Sequence, residues 1–188
     1  MIIETVITTQ TKTDNIHFAA LGVEFSAEKI VFYPYQDTAT ADNILIKKRG
    51  VVNLVDRAKF IVLSALSDQK FNVKKTADCR GYYLEKCCHY YEFKVISIEN
   101  LEAKYKVTAE ITADKFIKEA STFNRANNLL LEAAVIASRI GISFNKKDLL
   151  DYLEKNRRII FKTGDRESRE VYNFLLNYAE KQEGKNID

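Results

Sequence analysis

Val31-Phe32-Tyr33-Pro34-Tyr35-Gln36-Asp37-Thr38-Ala39-Thr40-Ala41-Asp42-Asn43-Ile44, followed by Val51-Val52-Asn53-Leu54, is the stretch whose reading decides the fold. An aromatic strand ends at the proline, a polar loop follows, and an apolar strand returns. Thr38 and Thr40 stand two residues apart in the loop, Asn43 follows, and Asn53 interrupts the next strand. Short hydroxyls and backbone N–H groups in such a loop can cradle a phosphate without a glycine-rich motif. The aromatic strand beside it can cover a flat ring system. The pairing points to a bound mononucleotide or flavin rather than to a protein nucleophile.

Working outward, the residues before 115 keep alternating β-branched and aromatic positions. Ile3, Thr5, Ile7 and Thr9 fall on one face of a first strand. Ile16 to Val23, Lys29 to Tyr33 and Gly50 to Val55 read as further strands, the third after the turn Ser26-Ala27-Glu28. Glu92 to Ile98 and Tyr105 to Ile111 alternate as a late hairpin. Many short strands joined by tight turns predict a barrel or sandwich. Ala58 to Leu66 reads as a short helix, and Asp42 to Lys47 as a turn of one.

After residue 115 the period changes. Phe123, Ala126, Leu130, Ala133, Ala134, Ala137 and Ile140 recur at three and four, and Gly141 closes that helix. Asn145 caps a second helix through Leu149, Leu150 and Leu153, with Asp148 at its third position. A third helix runs from Arg166 to Ala179. The sequence reading is therefore α+β, a β domain over 1–114, barrel or sandwich, and a C-terminal helical subdomain over 115–188.

Composition narrows the function classes. The 188 residues are 46% hydrophobic and 29% charged, which supports a sizeable core. Net charge is +3, from 29 basic and 26 acidic side chains, too even to argue for nucleic acid. The clusters Lys47-Lys48-Arg49 and Asn156-Arg157-Arg158 lack the interleaved aromatics of a base-stacking surface. No apolar run has transmembrane length, the start lacks a signal-peptide pattern, and a cytoplasmic location is expected. Cys79, Cys87 and Cys88 are an odd count, which implies free thiols. With His89 they lack the spacing of a zinc knuckle, so no metal is expected.

At these residues the chain resembles a domain-of-unknown-function family of FMN-binding split-barrel proteins, found mainly in archaea. The resemblance rests on Glu4-Thr5-Val6-Ile7-Thr8-Thr9, Asn15-Ile16-His17-Phe18-Ala19-Ala20-Leu21-Gly22-Val23, and Tyr33-Pro34-Tyr35 with Thr38-Ala39-Thr40-Ala41-Asp42-Asn43-Ile44. Val51-Val52-Asn53-Leu54, Phe123-Asn124-Arg125-Ala126 with Glu132-Ala133, and Phe161-Lys162-Thr163-Gly164 complete it, in order along nearly the whole chain. Ala20 stands where the family usually has proline, the second strand carries an extra residue near His17-Phe18, and Asp37 replaces a common glycine.

The resemblance implies an FMN-binding split β-barrel, a homodimer, and FMN near the dimer interface. Related flavin reductases and pyridoxamine-phosphate oxidases make a flavin-dependent oxidoreductase the expected activity, with NAD(P)H or a deazaflavin as electron donor, by analogy of fold. A non-catalytic FMN carrier or regulatory module is the alternative, and a nucleic-acid-binding barrel a third. Thr38 and Thr40 are expected at the FMN phosphate, their alternative being an ordinary threonine-rich turn. Asn43 either meets the phosphate or caps a helix. Asn53, a lone amide in an apolar strand, pairs with the flavin ring or with neighbouring backbone. Gly22 lets the ring approach, or marks a bulge. Ala20, Leu21, Pro34 and Tyr35 form walls of the ring site, or plain core. Arg125, with Asn124, either reaches the phosphate or pairs with a carboxylate such as Glu132. Lys162-Thr163-Gly164 reads as a loop before a helix start, which attracts anions. His17 is read as structural, since a flavin moves hydride without a strong protein base.

Overall fold

The computed structural model describes residues 1–78 and 80–182. Cys79 and the residues beyond Gln182 lie outside the described residues. The chain forms two compact units, residues 1–56 with 69–120, and residues 57–68 with 121–188.

The first unit is a six-stranded closed barrel in the order β1-β2-β3-β8-β7-β4. The strands are β1 (Ile2–Gln10), β2 (Ile16–Phe25), β3 (Lys29–Phe32), β4 (Arg49–Leu54), β7 (His89–Leu101) and β8 (Lys104–Phe116), all antiparallel to their neighbours. Alternation places Ile7, Val23, Ile30, Phe32, Val52, Phe93, Val107 and Ala109 in one interior cluster. The helix α1 (Ala39–Lys47) adds Ile44 to that core. Each fully buried side chain of this size contributes about 1.5–3 kcal/mol.

The sequence reading assigns β1 one buried face. The structure buries both, because Val6 and Thr8 on the opposite face are also covered. The cover is a short antiparallel hairpin of β5 (Val73–Lys75) and β6 (Tyr82–Leu84), whose β6 lies against β1 and β4. Three-residue strands carry too little alternation to be legible beforehand. The late hairpin is also longer than expected, running to Phe116, with bulges at Glu92/Phe93 and Val95/Ser97.

The second unit is helical and discontinuous in sequence: α2 (Ala58–Leu66) groups with α3 (Arg125–Ser138), α4 (Lys146–Thr163) and α5 (Arg166–Lys181). A boundary at 114/115 leaves α2 on the other side. Ala126, Ala133, Ala134 and Ala137 give α3 a face of small side chains, packed with Val62, Leu130, Leu149, Leu153 and Leu175 in one core. Asn124 caps α3, Asn145 and Asp148 form a reciprocal capping box on α4, and Asp165 caps α5. Gly141 takes φ 83°, a conformation suited to glycine, just beyond α3. Phe123, expected to open the apolar stripe of α3, precedes the cap and is fully exposed. No helix among the described residues is long and apolar enough to cross a membrane.

Candidate functional site

The start of α1 organises the site. Thr38 is its N-cap: Oγ1 accepts from the Ala41 N–H at 3.3 Å and donates to the Tyr35 carbonyl at 2.7 Å. Helix geometry leaves the N–H groups of Ala39 and Thr40 without an acceptor inside the helix. Such an end favours an anion, although Asp37 and Asp42 flank this one with negative charge. A cation stands near: the Lys104 ammonium lies 4.3 Å from the Tyr35 ring centroid. Lys104 escapes sequence reading because only the β7–β8 hairpin brings it back, through a bridge with Tyr35.

β2 supplies the second wall. It pairs with β1 along its length, from Glu24 opposite Ile2 to Ile16 opposite Gln10. Its pairing with β3 covers only Val23–Phe25. From Ile16 to Gly22 the edge turned away from β1 therefore has no strand opposite it among the described residues. That opening is the split of the barrel, and it presents a row of backbone donors and acceptors. His17 Nε2 and Thr40 Oγ1, 3.1 Å apart, tie the beginning of this edge to the first turn of α1. Asn43 Nδ2 donates to Thr9 Oγ1 at 2.9 Å and fixes the next turn against β1.

The structure thus gathers Pro34, Tyr35, Thr38, Thr40 and Asn43 around the start of α1, and places Ala20 and Gly22 on the open-edged part of β2. Thr40 and Asn43 are buried and hold the helix in place. Leu21 points to the opposite face from Ala20 and Gly22 and packs on the barrel core. Gly22 accommodates a neighbour: a Cβ there would stand 2.6 Å from Ile2 Cγ2. Asn53 is fully buried, and its amide is committed to backbone and side-chain partners within the barrel unit.

Asn124 and Arg125 belong to the helical unit. Asn124 caps α3 and donates to the Thr163 carbonyl at 3.0 Å, while Arg125 is exposed at the first helical position. Lys162 and Thr163 are not in a loop. They form the last turn of α4, ended by Gly164.

A separate cavity of about 270 Å³ opens at the other end of α1, where the chain turns into β4. It is lined by Thr8, Lys47, Lys48, Arg49, Arg80, Glu92 and Lys94, with Asp78 and Phe93. Residue Glu92 is 5% exposed, and burial, then its hydrogen bond with Asp78, pushes its carboxyl from 4.5 up to about 7. Asp78 is held below its usual value, first by the backbone N–H of Arg80. Glu92 therefore takes up a proton on folding between about pH 4.5 and 7, so its contribution to stability is lost as pH rises through that window. Asp78, shifted the other way, acts only below its ordinary value near 3.8. Glu92→Gln should remove this slope, so that its stability relative to wild type is about 2 kcal/mol higher at pH 8 than at pH 5. Denaturant unfolding of both proteins at the two pH values measures it; an unchanged slope in the variant would refute the assignment. Cys87 is no ready nucleophile: it is buried, and burial raises its thiol to about 12.

The comparisons with known proteins agree with this architecture. The chain is 28% identical to an uncharacterised protein of Methanocaldococcus jannaschii over 94% of its own length and 97% of the relative's. Its fold is similar to the crystal structure of an FMN-bound DUF447 protein of Methanosarcina mazei, with a TM-score of 0.79, 21% identity and 94% of each chain covered. It is also similar to flavoredoxin of Methanosarcina acetivorans, with a TM-score of 0.55 and 14% identity over 64% of this chain and 72% of that one. Residues 3–118 match the N-terminal domain of the protein of unknown function DUF447, and residues 124–176 match its second part, so the chain belongs to the DUF447 family.

Proposed function

We propose that the protein is an FMN-binding flavoprotein and acts as a flavin-dependent oxidoreductase. The observation that carries this reading is the junction of an open β2 edge with the N-terminus of α1, fastened by the His17–Thr40 contact. An isoalloxazine has a flat apolar body and a polar edge of ring carbonyls and N–H. The unpaired backbone from Ile16 to Gly22 matches that edge, and Phe18, Ala20 and Tyr35 supply apolar surface. The phosphate suits the free N–H groups of Ala39 and Thr40, with Lys104 adding charge. The donor set therefore fits FMN, and the FMN-bound family relative supports the choice.

When bound, FMN supplies two-electron hydride chemistry. This chain's residues bind and orient. Thr38 keeps the first turn of α1 formed, His17 and Thr40 hold that turn against β2, and Tyr35 shields one side. A homodimer with FMN near the interface belongs to the proposal, with NAD(P)H or a deazaflavin as donor. The exposed apolar side chains of Ile2, Leu45, Ile46 and Phe116 offer surface for a second copy.

The test is the visible spectrum of the purified protein, before and after addition of FMN and desalting. Retained flavin bands that bleach with NAD(P)H or a reduced deazaflavin are the expected result. A colourless protein that does not retain FMN would remove the reading.

A further inference from the structure

The cavity at the end of α1 has no part in the flavin reading. It begins where α1 ends, about 12 Å along the helix axis from Ala39. Lys48 takes φ 53° as the C-cap of α1, and this left-handed turn swings the chain so that Lys48 and Arg49 both line the cavity. The charges there do not cancel. Lys47 pairs with Asp14 at 2.8 Å, Arg80 with Asp78 at 3.6 Å, and Lys94 loosely with Glu110 at 3.9 Å. Lys48 and Arg49 have no ion pair among the described residues, so two positive charges are left over. Asp14 feels Arg49 only as a more distant charge.

Two polar atoms of the lining residues are also buried without a hydrogen-bond partner in the protein: Arg49 Nε, a donor, and Glu92 Oε1. Native structures rarely leave such atoms unmatched. The two do not pair with each other. Glu92 is protonated for much of the time near neutral pH and hydrogen-bonds with Asp78. With that proton directed to Asp78, Oε1 is left as a carbonyl-like acceptor. The bulge between Glu92 and Phe93 re-aims the strand at this point. Thr8 Oγ1 already accepts from Asn53 Nδ2 at 2.9 Å, which leaves its own hydrogen to donate.

We propose that this cavity binds a small organic phosphate, with the dianionic group against Lys48 and Arg49 and a ligand hydroxyl donating to Glu92 Oε1. A phosphate monoester supplies the two negative charges that the surplus cations lack, and arginine recognises its oxygens with directed N–H groups. The attached hydroxyls supply the donor that inorganic phosphate cannot place at the same time.

Calorimetric titration of the FMN-treated protein with ribose 5-phosphate tests it, against inorganic phosphate and ribose. Ribose 5-phosphate is expected to bind about tenfold more tightly than inorganic phosphate or ribose. Arg49→Met and Glu92→Met should each weaken it about tenfold, while Glu92→Gln, which keeps a carbonyl oxygen, should retain it. Arg49→Met carries the test alone if Glu92→Met fails to fold. No heat at roughly 10 mM ligand, or equal affinity for inorganic phosphate, would overturn the proposal. Displacement of ribose 5-phosphate by FMN would overturn it too, since the cavity would then be part of the flavin site. The flavin spectrum is read separately, so either reading can fail without the other.

Discussion

Asn53→Leu should destabilise the barrel unit by about 4 kcal/mol, the largest effect expected of any single substitution here. The Asn53 side chain is 0% exposed and serves three places at once. Its Nδ2 donates to the Val6 carbonyl and to Thr8 Oγ1, each at 2.9 Å, and its Oδ1 accepts from the Leu84 N–H at 2.8 Å. One amide therefore joins β4 to β1 on one side and to the covering strand β6 on the other. Leucine keeps the branching and the number of heavy atoms, so the loss is chiefly polar, with a smaller steric cost from the bulkier methyl groups. It strands the Leu84 N–H away from water, at about 1–3 kcal/mol, and takes an amide donor from Thr8 Oγ1 and from the Val6 carbonyl, at about 1 kcal/mol each. Denaturant unfolding with a probe in the barrel measures it. A loss below about 1 kcal/mol would mean that β6 shifts or water enters at no cost, and that the amide does not lock this layer.

The same residue shows how far the sequence could be read. A lone asparagine among valines announces a buried polar group that must be satisfied, and the sequence leaves flavin and backbone as rival partners. The N–H donor to its Oδ1, that of Leu84, lies 31 positions away on a three-residue strand. No local pattern could announce that strand. The long strands and the helices α3 to α5 were legible because period and caps agree: Asn145 with Asp148, and Gly141 after the alanine stripe. The start of α1 was legible only in part. Thr38 was visible as a phosphate candidate, but its work as a cap depends on α1 beginning at Ala39, three residues before the turn of helix expected at Asp42. The Ala-Thr-Ala-Asp stretch mixes the best helix former with two poor ones and has no apolar stripe to set that boundary. The sequence reading places Leu21 with Ala20 among the walls of the ring site, whereas a strand sends adjacent side chains to opposite faces. The cavity by Glu92 went unseen for a different reason: its lining comes from β1, the end of α1, the β5–β6 connection, β7 and β8, which only barrel closure assembles.

The second large effect concerns the start of α1. Thr38→Ala combined with Thr40→Ala should weaken FMN binding about 50-fold, equivalent to about 2.3 kcal/mol. The two hydroxyls act mainly by positioning. Thr38 holds the first turn through Ala41 and Tyr35, and Thr40 holds that turn to β2 through His17. Without them the N–H groups of Ala39 and Thr40 remain, but the turn that aims them frays. Loss of the Thr38 cap alone should also lower the stability of the flavin-free protein by about 1 kcal/mol. Thr38→Ser keeps the capping oxygen and should retain most of the affinity that Thr38→Ala loses, while Thr40→Val keeps the shape and removes only the contact with His17. Fluorescence titration of FMN against wild type and these variants separates the contributions. If the double variant binds FMN as tightly as wild type while remaining folded, the phosphate does not sit at the start of α1. The open edge of β2 would then have to hold the ring without that anchor, which its backbone groups alone are too few to do with lasting retention.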